Sequence, residues 1–593
     1  MKRLTLRLNE VLACMALLLM VAIPLVEMVA RPMIGSGFDN APLFVQHMGL
    51  VLAMCGAVVA QRNGHLTSLG NLMKHGGNFA HLASGLICGF LTWSSWQFVT
   101  SEIASPKMLA YGIPVWWVQM VMPLGFAFLG FGLAHRVHPE NLAKVVIPLL
   151  WPIAGFALAA VLDGEPTPSW PCLLVVWTAL ILGAPIFAVL GGVALAFFMN
   201  DGLPMASLAL SQYQMTVNPS LPALPLFTLA GLLFAKTGAV HRLGAVFLSI
   251  FGQGMVGTVV AATILCSFFT AFTGGSGVTI LALGGLLLPL LRNCGYPENR
   301  GISLVTSASA LGVLLAPSVP LIMYAIIARV PINTMFLAGL VPAGIMVLSL
   351  LIFGGFWLKS EKAVPDLAQT VGAIPAIWMA KWEILAPVVA IGALISGLAT
   401  PTESAAITAA YAMVTLALIH RELTWKSLAE CLSQCAQIIG GVILILGLAL
   451  GLTNYLVDAG IPDALIDGFQ QITRNKYVFL LALNVFLFFA GALIEIYAAI
   501  VVLVPLLLPV AMSYGIDPVH FGIIFLANME MGFICPPAGM NIFFASAIFK
   551  RPMRQVAVSV LPALLAIFVG TLLISWLPLL ALGLPTFFNA SLN

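Results

Sequence analysis

The chain has 593 residues, 61% of them hydrophobic and only 8% charged, with a mean hydropathy of +1.08. A soluble protein would carry roughly 25% charged residues, so a soluble enzyme or a nucleic-acid-binding domain is excluded, and the formal net charge of +3, spread over short loops, names no partner. Apolar runs of the ~20-residue length that a bilayer crossing needs fill most of the chain, without the short alternating pattern of barrel strands; the expected fold class is an all-α polytopic membrane protein embedded in membrane lipid.

The N-terminal stretch MKRLTLRLNEVLAC places Cys14 before its apolar run rather than after it. That order argues against a cleaved leader and for a retained first span over about 11–31. Lys2, Arg3 and Arg7 precede this span; Arg62, His65, Lys74 and His75 follow the second; Arg136, His138 and Lys144 follow the fourth. Asp39, Glu102 with Lys107, and Asp163 with Glu165 occupy the alternate loops. Positive loops stay cytoplasmic, so the N-terminus is expected inside and the 163–170 loop outside. Lys550, Arg551 and Arg554 before the last span then put the C-terminus in the periplasm.

Residues 1–140 read as a four-helix scaffold unit. Residues 141–171 hold a fifth helix near 145–162 and the acidic, Pro-rich linker DGEPTPSWP (163–171). Residues 172–593 form a larger unit with Gly and Pro inside its hydrophobic segments. The nine cysteines include no CxxC pair and no Cys/His ligand spacing, so neither a disulfide framework nor a transition-metal site is expected.

Within the large unit the helix-breaking pattern occurs twice. Pro289, Gly295, Gly312 and Pro317 recur as Pro509, Gly515, Gly532 and Pro537, each 220 residues later, and LLLP stands at both 286–289 and 506–509. The internal repeats span roughly 222–358 and 385–580. Duplicated, interrupted hydrophobic segments point to the midplane site of a secondary transporter. In the first copy, Gly274, Gly275 and Gly277 weaken the helix by about 1 kcal/mol each relative to Ala and predict a hairpin whose tip lies at 273–277. The hydroxyls of Thr273 and Ser276 and the tip carbonyls are oxygen ligands suited to a hard cation. Pro317 breaks the next helix and frees carbonyls one turn earlier, around Val313 and Leu314.

The second copy carries Glu495 at the position of Gly275. A carboxylate within an apolar run is costly and should face the interior with a partner, as a cation ligand or a coupling group. A double break follows at Pro536-Pro537 and Gly539, flanked by Asn528 and Asn541; Glu530, two residues from Asn528, falls on another face. Between the copies, Thr400-Pro401-Thr402-Glu403 reads as a capped helix start. The alternative is a mid-membrane break whose hydroxyls serve an ion or a solute.

GLATPTESAA (397–406), the GGSG and LGVLLAPSVP segments, and GIDPVHFGIIFLANMEMGFICPPAGMNIFF resemble the large membrane subunit of TRAP (tripartite ATP-independent periplasmic) transporters. QRNGHLTSL (61–69) and WWVQMVMPLGFAFLG (116–130) are similar to the family's small membrane subunit. The order matches fused forms, so one chain per transport unit is expected. The resemblance implies an inverted-repeat, elevator-type transporter of the bacterial inner membrane. It would take up a small organic acid, carboxylate or sialic-acid-like, with sodium as coupling ion and no organic cofactor. Delivery would come from a periplasmic substrate-binding protein, and no ATPase subunit is implied.

Carried over by position, sodium sites would lie at Thr273, Gly275, Ser276, Val313 and Pro317, and at Glu495, Cys535, Pro537 and Gly539. The solute would sit between them, against Ser276, Thr400, Thr402, Asn528 and Asn541. Cys535 departs from the family, which usually has Thr there. A stand-alone carboxylate carrier with a similar core is the nearest alternative. An ATP-driven pump lacks its phosphate loop. A membrane-embedded enzyme lacks its motifs: there is no HExxH, and GGSGV is not GxSxG.

Overall fold

The computed structural model describes residues 2–34, 37–64, 66, 77–136, 143–251, 254–356, 372–395, 399–536 and 539–592. Helix makes up 83% of the structure and no strand forms among the described residues, as the continuous apolar runs require. Ten helices there are long and apolar enough to cross a membrane, or up to fourteen if each sharply bent pair counts as one span.

The N-terminal helices are Lys2–Ile34, Ala41–Asn63, Gly77–Ala104 and a fourth split at Met120 into Val115–Gln119 and Val121–Ala134. The first helix begins well before the expected 11 and ends just past 31, with Pro24 and Pro32 inside it. The fifth helix, Ala143–Leu162, packs against the third. A side chain at Gly155 would strike the Leu86 carbonyl, and one at Gly89 the Pro152 carbonyl. Bare glycine on both helices lets the backbones touch, the usual way lipid-embedded helices associate. Just past its end, Asp163 accepts from Trp93 Nε1 at 2.9 Å and from the Met205 amide at 3.0 Å.

Packing groups the chain into two compact units. One holds Met1–Pro225, Leu432–Ala464 and Val501–Leu506; the other holds Leu226–Cys431, Leu465–Ile500 and Leu507–Asn593. This partition differs from the division of the sequence at 140 and 172 because the long helix Trp425–Asp458 returns, from Leu432 onward, to the N-terminal bundle. Gly56 there lies against the Ala436 carbonyl and the Gly440 Cα, and Gly447 lies against Gln212.

The second unit carries the duplicated elements except Val501–Leu506, a stretch of the second hairpin that groups with the first unit. The first hairpin pairs Met255–Thr273 with Ser276–Asn293, and the second pairs Lys476–Leu493 with Ile496–Ser513. Both second arms are 18 residues long and offset by 220 at each end. Each hairpin precedes a broken helix: Glu298–Ala308, a 3₁₀ turn Leu311–Leu314 and Val319–Ala328 in the first copy; Pro518–Ile534 and Met540–Phe549 in the second. The first helix stops before the cis Ala316–Pro317 bond. Gly274 ends the first hairpin arm at φ +68°, the left-handed region that favours glycine. The duplicated Gly312 and Gly532 both permit a close approach of backbones. A side chain at 312 would strike the Ser267 carbonyl and crowd Ala271, and one at 532 would strike Gly491. Ala271 and Gly491 are themselves 220 apart.

The same unit holds a polar tie on the helix Ala239–Phe251. Arg242 meets Glu383 at 2.7 Å and Glu422 at 2.6 Å, and Glu422 also accepts from the Gly238 amide at 2.9 Å. His420 lies 3.2 Å from Glu383.

Candidate functional site

At the first tip, three buried hydroxyls form a row. Thr270 Oγ1 lies 2.9 Å from the Ser309 carbonyl and 2.7 Å from Thr279 Oγ1. Thr273 Oγ1 lies 3.2 Å from Thr279 Oγ1 and 3.3 Å from the Gly275 carbonyl. The row joins the hairpin tip to the end of the first broken helix. Thr273 and Gly275 are expected here from the sequence; Thr270 and Thr279 are additions. Thr270 sits one turn before Thr273 on the same helix face, which is the signal that could have found it. Thr279 comes opposite only because the hairpin folds back.

Ser276 opens the second arm and donates to Asn541 Oδ1 at 2.7 Å; Asn541 Nδ2 in turn donates to the Thr306 carbonyl at 3.1 Å. Asn541 thus joins the first hairpin, the second broken helix and the first broken helix through two hydrogen bonds. Its apolar backing is a cluster that includes Ile280, Ile302 and Ile542, each within four residues of one of the three polar groups. Gly277 faces the ring of Phe544, where a side chain would not fit.

At the second tip, Glu495 caps the helix Ile496–Ser513 and accepts from the Tyr497 amide at 3.1 Å. Its side chain is half-buried, and these bonds stay within its own turn. Tyr497 then crosses to the other hairpin: its hydroxyl donates to the Gly274 carbonyl at 2.7 Å. The two tips, 220 residues apart in sequence, are hydrogen-bonded to each other.

The breaks are less open than the sequence suggests. The Val313 carbonyl accepts from the Ser318 hydroxyl, and the Leu314 carbonyl backs onto Gly339. The carbonyls that Pro317 releases therefore already have a donor or a packing partner, a correction to the expectation that they are free. In the second break the Cys535 thiol faces the Pro536 carbonyl at 3.3 Å, and the Gly539 amide donates to the Cys535 carbonyl at 2.8 Å. Pro537 lies outside the described residues.

Thr400 and Asn528 belong to other networks. Thr400 is exposed and forms a capping box with Glu403: its amide donates to Glu403 Oε2 at 2.7 Å, and its hydroxyl accepts from the Glu403 amide at 3.3 Å. Thr402, half-buried, follows in the first turn of that helix. Asn528 donates to Asn484 Oδ1 at 2.7 Å, and Ser575 lies 3.1 Å from the same oxygen. Neither residue is bonded to the Ser276–Asn541 pair. Glu530, set aside in the sequence, is fully buried; its Oε1 accepts from the Leu314 amide at 3.3 Å at the first break.

Among the described residues no three His, Cys, Asp or Glu side chains cluster as for a metal centre. The donors present are hydroxyls, amide and backbone oxygens and isolated carboxylates, a set that suits hard cations and polar solutes rather than transition metals.

Residues 173–580 match the family described as tripartite ATP-independent periplasmic transporter, DctM component, and residues 20–138 match its DctQ component. The isethionate TRAP transporter permease protein DctMQ of Oleidesulfovibrio alaskensis is 30% identical over 82% of this chain and 77% of its own length. The C4-dicarboxylate TRAP transporter large permease protein DctM of Rhodobacter capsulatus is 31% identical over 68% of this chain and 96% of its own. The sialic acid TRAP transporter large permease protein SiaM of Vibrio cholerae is 31% identical over 70% and 97%.

Proposed function

The chain belongs to the tripartite ATP-independent periplasmic transporter family, with the DctQ and DctM components in one polypeptide, and from that premise we propose that it drives sodium-coupled uptake of a small organic acid by an elevator mechanism. The family is a transporter permease, which removes the membrane-enzyme alternative, and it works with a periplasmic substrate-binding protein. Here that partner would deliver the solute to the periplasmic side of an inner-membrane protein whose N-terminus is cytoplasmic and whose C-terminus is periplasmic.

The observation that carries the reading is the meeting of the two hairpin tips. Tyr497 bonds Gly274 across the repeats, while Ser276 bonds Asn541 beside them. Two helix N-termini, at Ser276 and Ile496, come together there. Helix N-termini carry partial positive charge and orient donors toward anions, and in inverted-repeat carriers such ends face the solute's acidic group. The row Thr270–Thr279–Thr273 and the carboxylate of Glu495 supply oxygens for the coupling cation. In the elevator step the two hairpins would move together as one body. The relatives named for C4-dicarboxylates, sialic acid and isethionate support an organic acid as the solute class.

The test is uptake in proteoliposomes with the full chain, its binding protein and an inward sodium gradient. Accumulation should need both. Uptake that persists without the binding protein would sink the tripartite reading, and uptake indifferent to sodium would sink the coupling.

A further inference from the structure

The first break has a charge problem. Its donors, the hydroxyls of Thr270, Thr273 and Thr279 and the carbonyls of Gly275 and Ser309, are all neutral. The charged residues between 255 and 328 are Arg292, Glu298 and Arg300, and all three are engaged away from the tip. Glu298 pairs with Arg551 and Arg292, and Arg300 donates to the Gly355 carbonyl. The first repeat therefore brings no carboxylate to its own break.

The second repeat does. Glu530 is fully buried, and its Oε1 takes the Leu314 amide at the end of the 3₁₀ turn. Among the described residues its Oε2 is buried without a hydrogen-bond partner. Gly312, two residues before Leu314, lies against Thr270 and Ala271, so carboxylate and hydroxyl row border one break. The elements packed against the Glu530 helix carry Lys476 and Tyr477 on the second hairpin, Glu495 at its tip, Tyr324 and Arg329 on the first broken helix, and Lys550 after the second; its own helix carries Asp517 and His520. Among the described residues none of these pairs with Glu530. Lys476 donates to the Gly515 carbonyl, His520 bonds the Ile574 carbonyl, Asp517 caps its own helix and Tyr324 donates to the Pro518 carbonyl. A buried carboxylate with no counter-charge is strongly unfavourable.

We propose that Glu530 supplies the negative charge of a cation site at the break of the first broken helix, reaching there from the second repeat. The proposal rests on the sodium-coupled reading above. Ion and charge then come from different copies of the repeat, so the site forms only while the two broken helices stay packed together. The cation is the missing partner of Oε2, and the neutral hydroxyl row completes its oxygen shell.

Sodium alone tests this, on the purified full chain in detergent. Thermal unfolding is followed against sodium chloride, with choline chloride holding ionic strength constant. The wild type should be stabilised by sodium. Glu530→Gln keeps an oxygen for the Leu314 amide but loses the charge; it should unfold close to the wild type in choline and need about tenfold more sodium for half the effect, since ligand charge count tunes such affinities over orders of magnitude. Glu530→Asp, which keeps the charge on a shorter arm, should fall between the two. Equal sodium half-saturation in all three proteins would assign Glu530 to capping alone and overturn the proposal, as would an Asp variant as impaired as the Gln variant. A wild type with no sodium response would instead remove the coupling reading on which the proposal stands.

Discussion

Glu495 has two roles at one position. Its carboxylate caps a helix, and its helix begins the tip that reaches Gly274 through Tyr497. Loss of a good N-cap is worth about 0.5–2 kcal/mol, so Glu495→Gln should lower thermal stability only modestly. If the carboxylate is also the charged ligand of a second cation site, sodium-driven uptake in proteoliposomes should fall by more than about tenfold while binding-protein dependence stays, since ligand charge count tunes cation affinity over orders of magnitude. Full uptake with unchanged sodium dependence would leave Glu495 only its cap. Cys535 sharpens the point. Its thiol turns to its neighbour's carbonyl, so a cation bound at this break would find no hydroxyl there and would depend the more on Glu495.

At the scale of elements, the glycines divide by what surrounds them. Gly312 has partner backbone where a Cβ would go, whereas Gly285, on the exposed side of the second arm of the first hairpin, has nothing within 4 Å. Gly312→Ala must therefore push two helices apart, and overpacking of this kind destabilises by about 1–3 kcal/mol. Gly285→Ala should be neutral or stabilising by up to about 1 kcal/mol through lower chain entropy. Detergent melting curves of the two variants should move in opposite directions or, at the least, separate by several degrees. A Gly312→Ala protein that melts with the wild type would refute the close approach.

The loop that follows the helix beginning at Pro401 makes a pH prediction. The Glu422 carboxyl is held below the ordinary Glu value of about 4.3, first by its hydrogen bond to Arg242 and also by the Gly238 amide. A depressed acid contributes stability above its unfolded pKa and loses it as pH falls through the folded one. Melting temperature should drop as pH is lowered from about 6 to below about 4, and Glu422→Gln should flatten part of that drop. An identical pH profile in the variant would remove the Arg242–Glu422 tie as the cause.

The same elements show what the chain reveals on reading and what it withholds. Hairpins, breaks and the 220-residue offset were legible because Gly and Pro punctuate helices by local backbone physics, and Gly274, Pro317 and the Thr400–Glu403 cap act where they stand. The cross-repeat bonds were not legible. Tyr497 to Gly274, Ser276 to Asn541 and Glu530 to Leu314 span between 216 and 265 residues, and a period shows that two segments are alike without showing how they pair. Thr400 and Asn528 went to separate networks for the same reason: a polar residue near a break can serve the cap or the core as well as the solute.

At the scale of the whole molecule, the fusion itself makes a prediction. The DctQ match ends at 138 and the DctM match begins at 173, while relatives named as large permease proteins cover only about the large component of this chain. If the covalent link mattered only for co-production, the packing on either side of it should hold the halves together without it. That packing is extensive within its unit. Asp163 and Ser94 both bond Met205, His47 bonds Tyr213 at 3.0 Å, and Gly56 brings one helix backbone against another at Gly440. The segment after Leu162 offers a clean cut, since Glu165 is exposed and the next helix begins at Ser169. Co-expressed fragments 1–165 and 166–593 should therefore co-purify through a tag on either one and support sodium- and binding-protein-dependent uptake within about threefold of the intact chain, because tethering mainly raises effective concentration. Gly56→Leu, which drives a side chain into the Ala436 carbonyl, should dissociate the cut pair while the intact chain stays whole. Fragments that separate without that substitution would show that the linker, and not the glycine-mediated packing, holds the two components together.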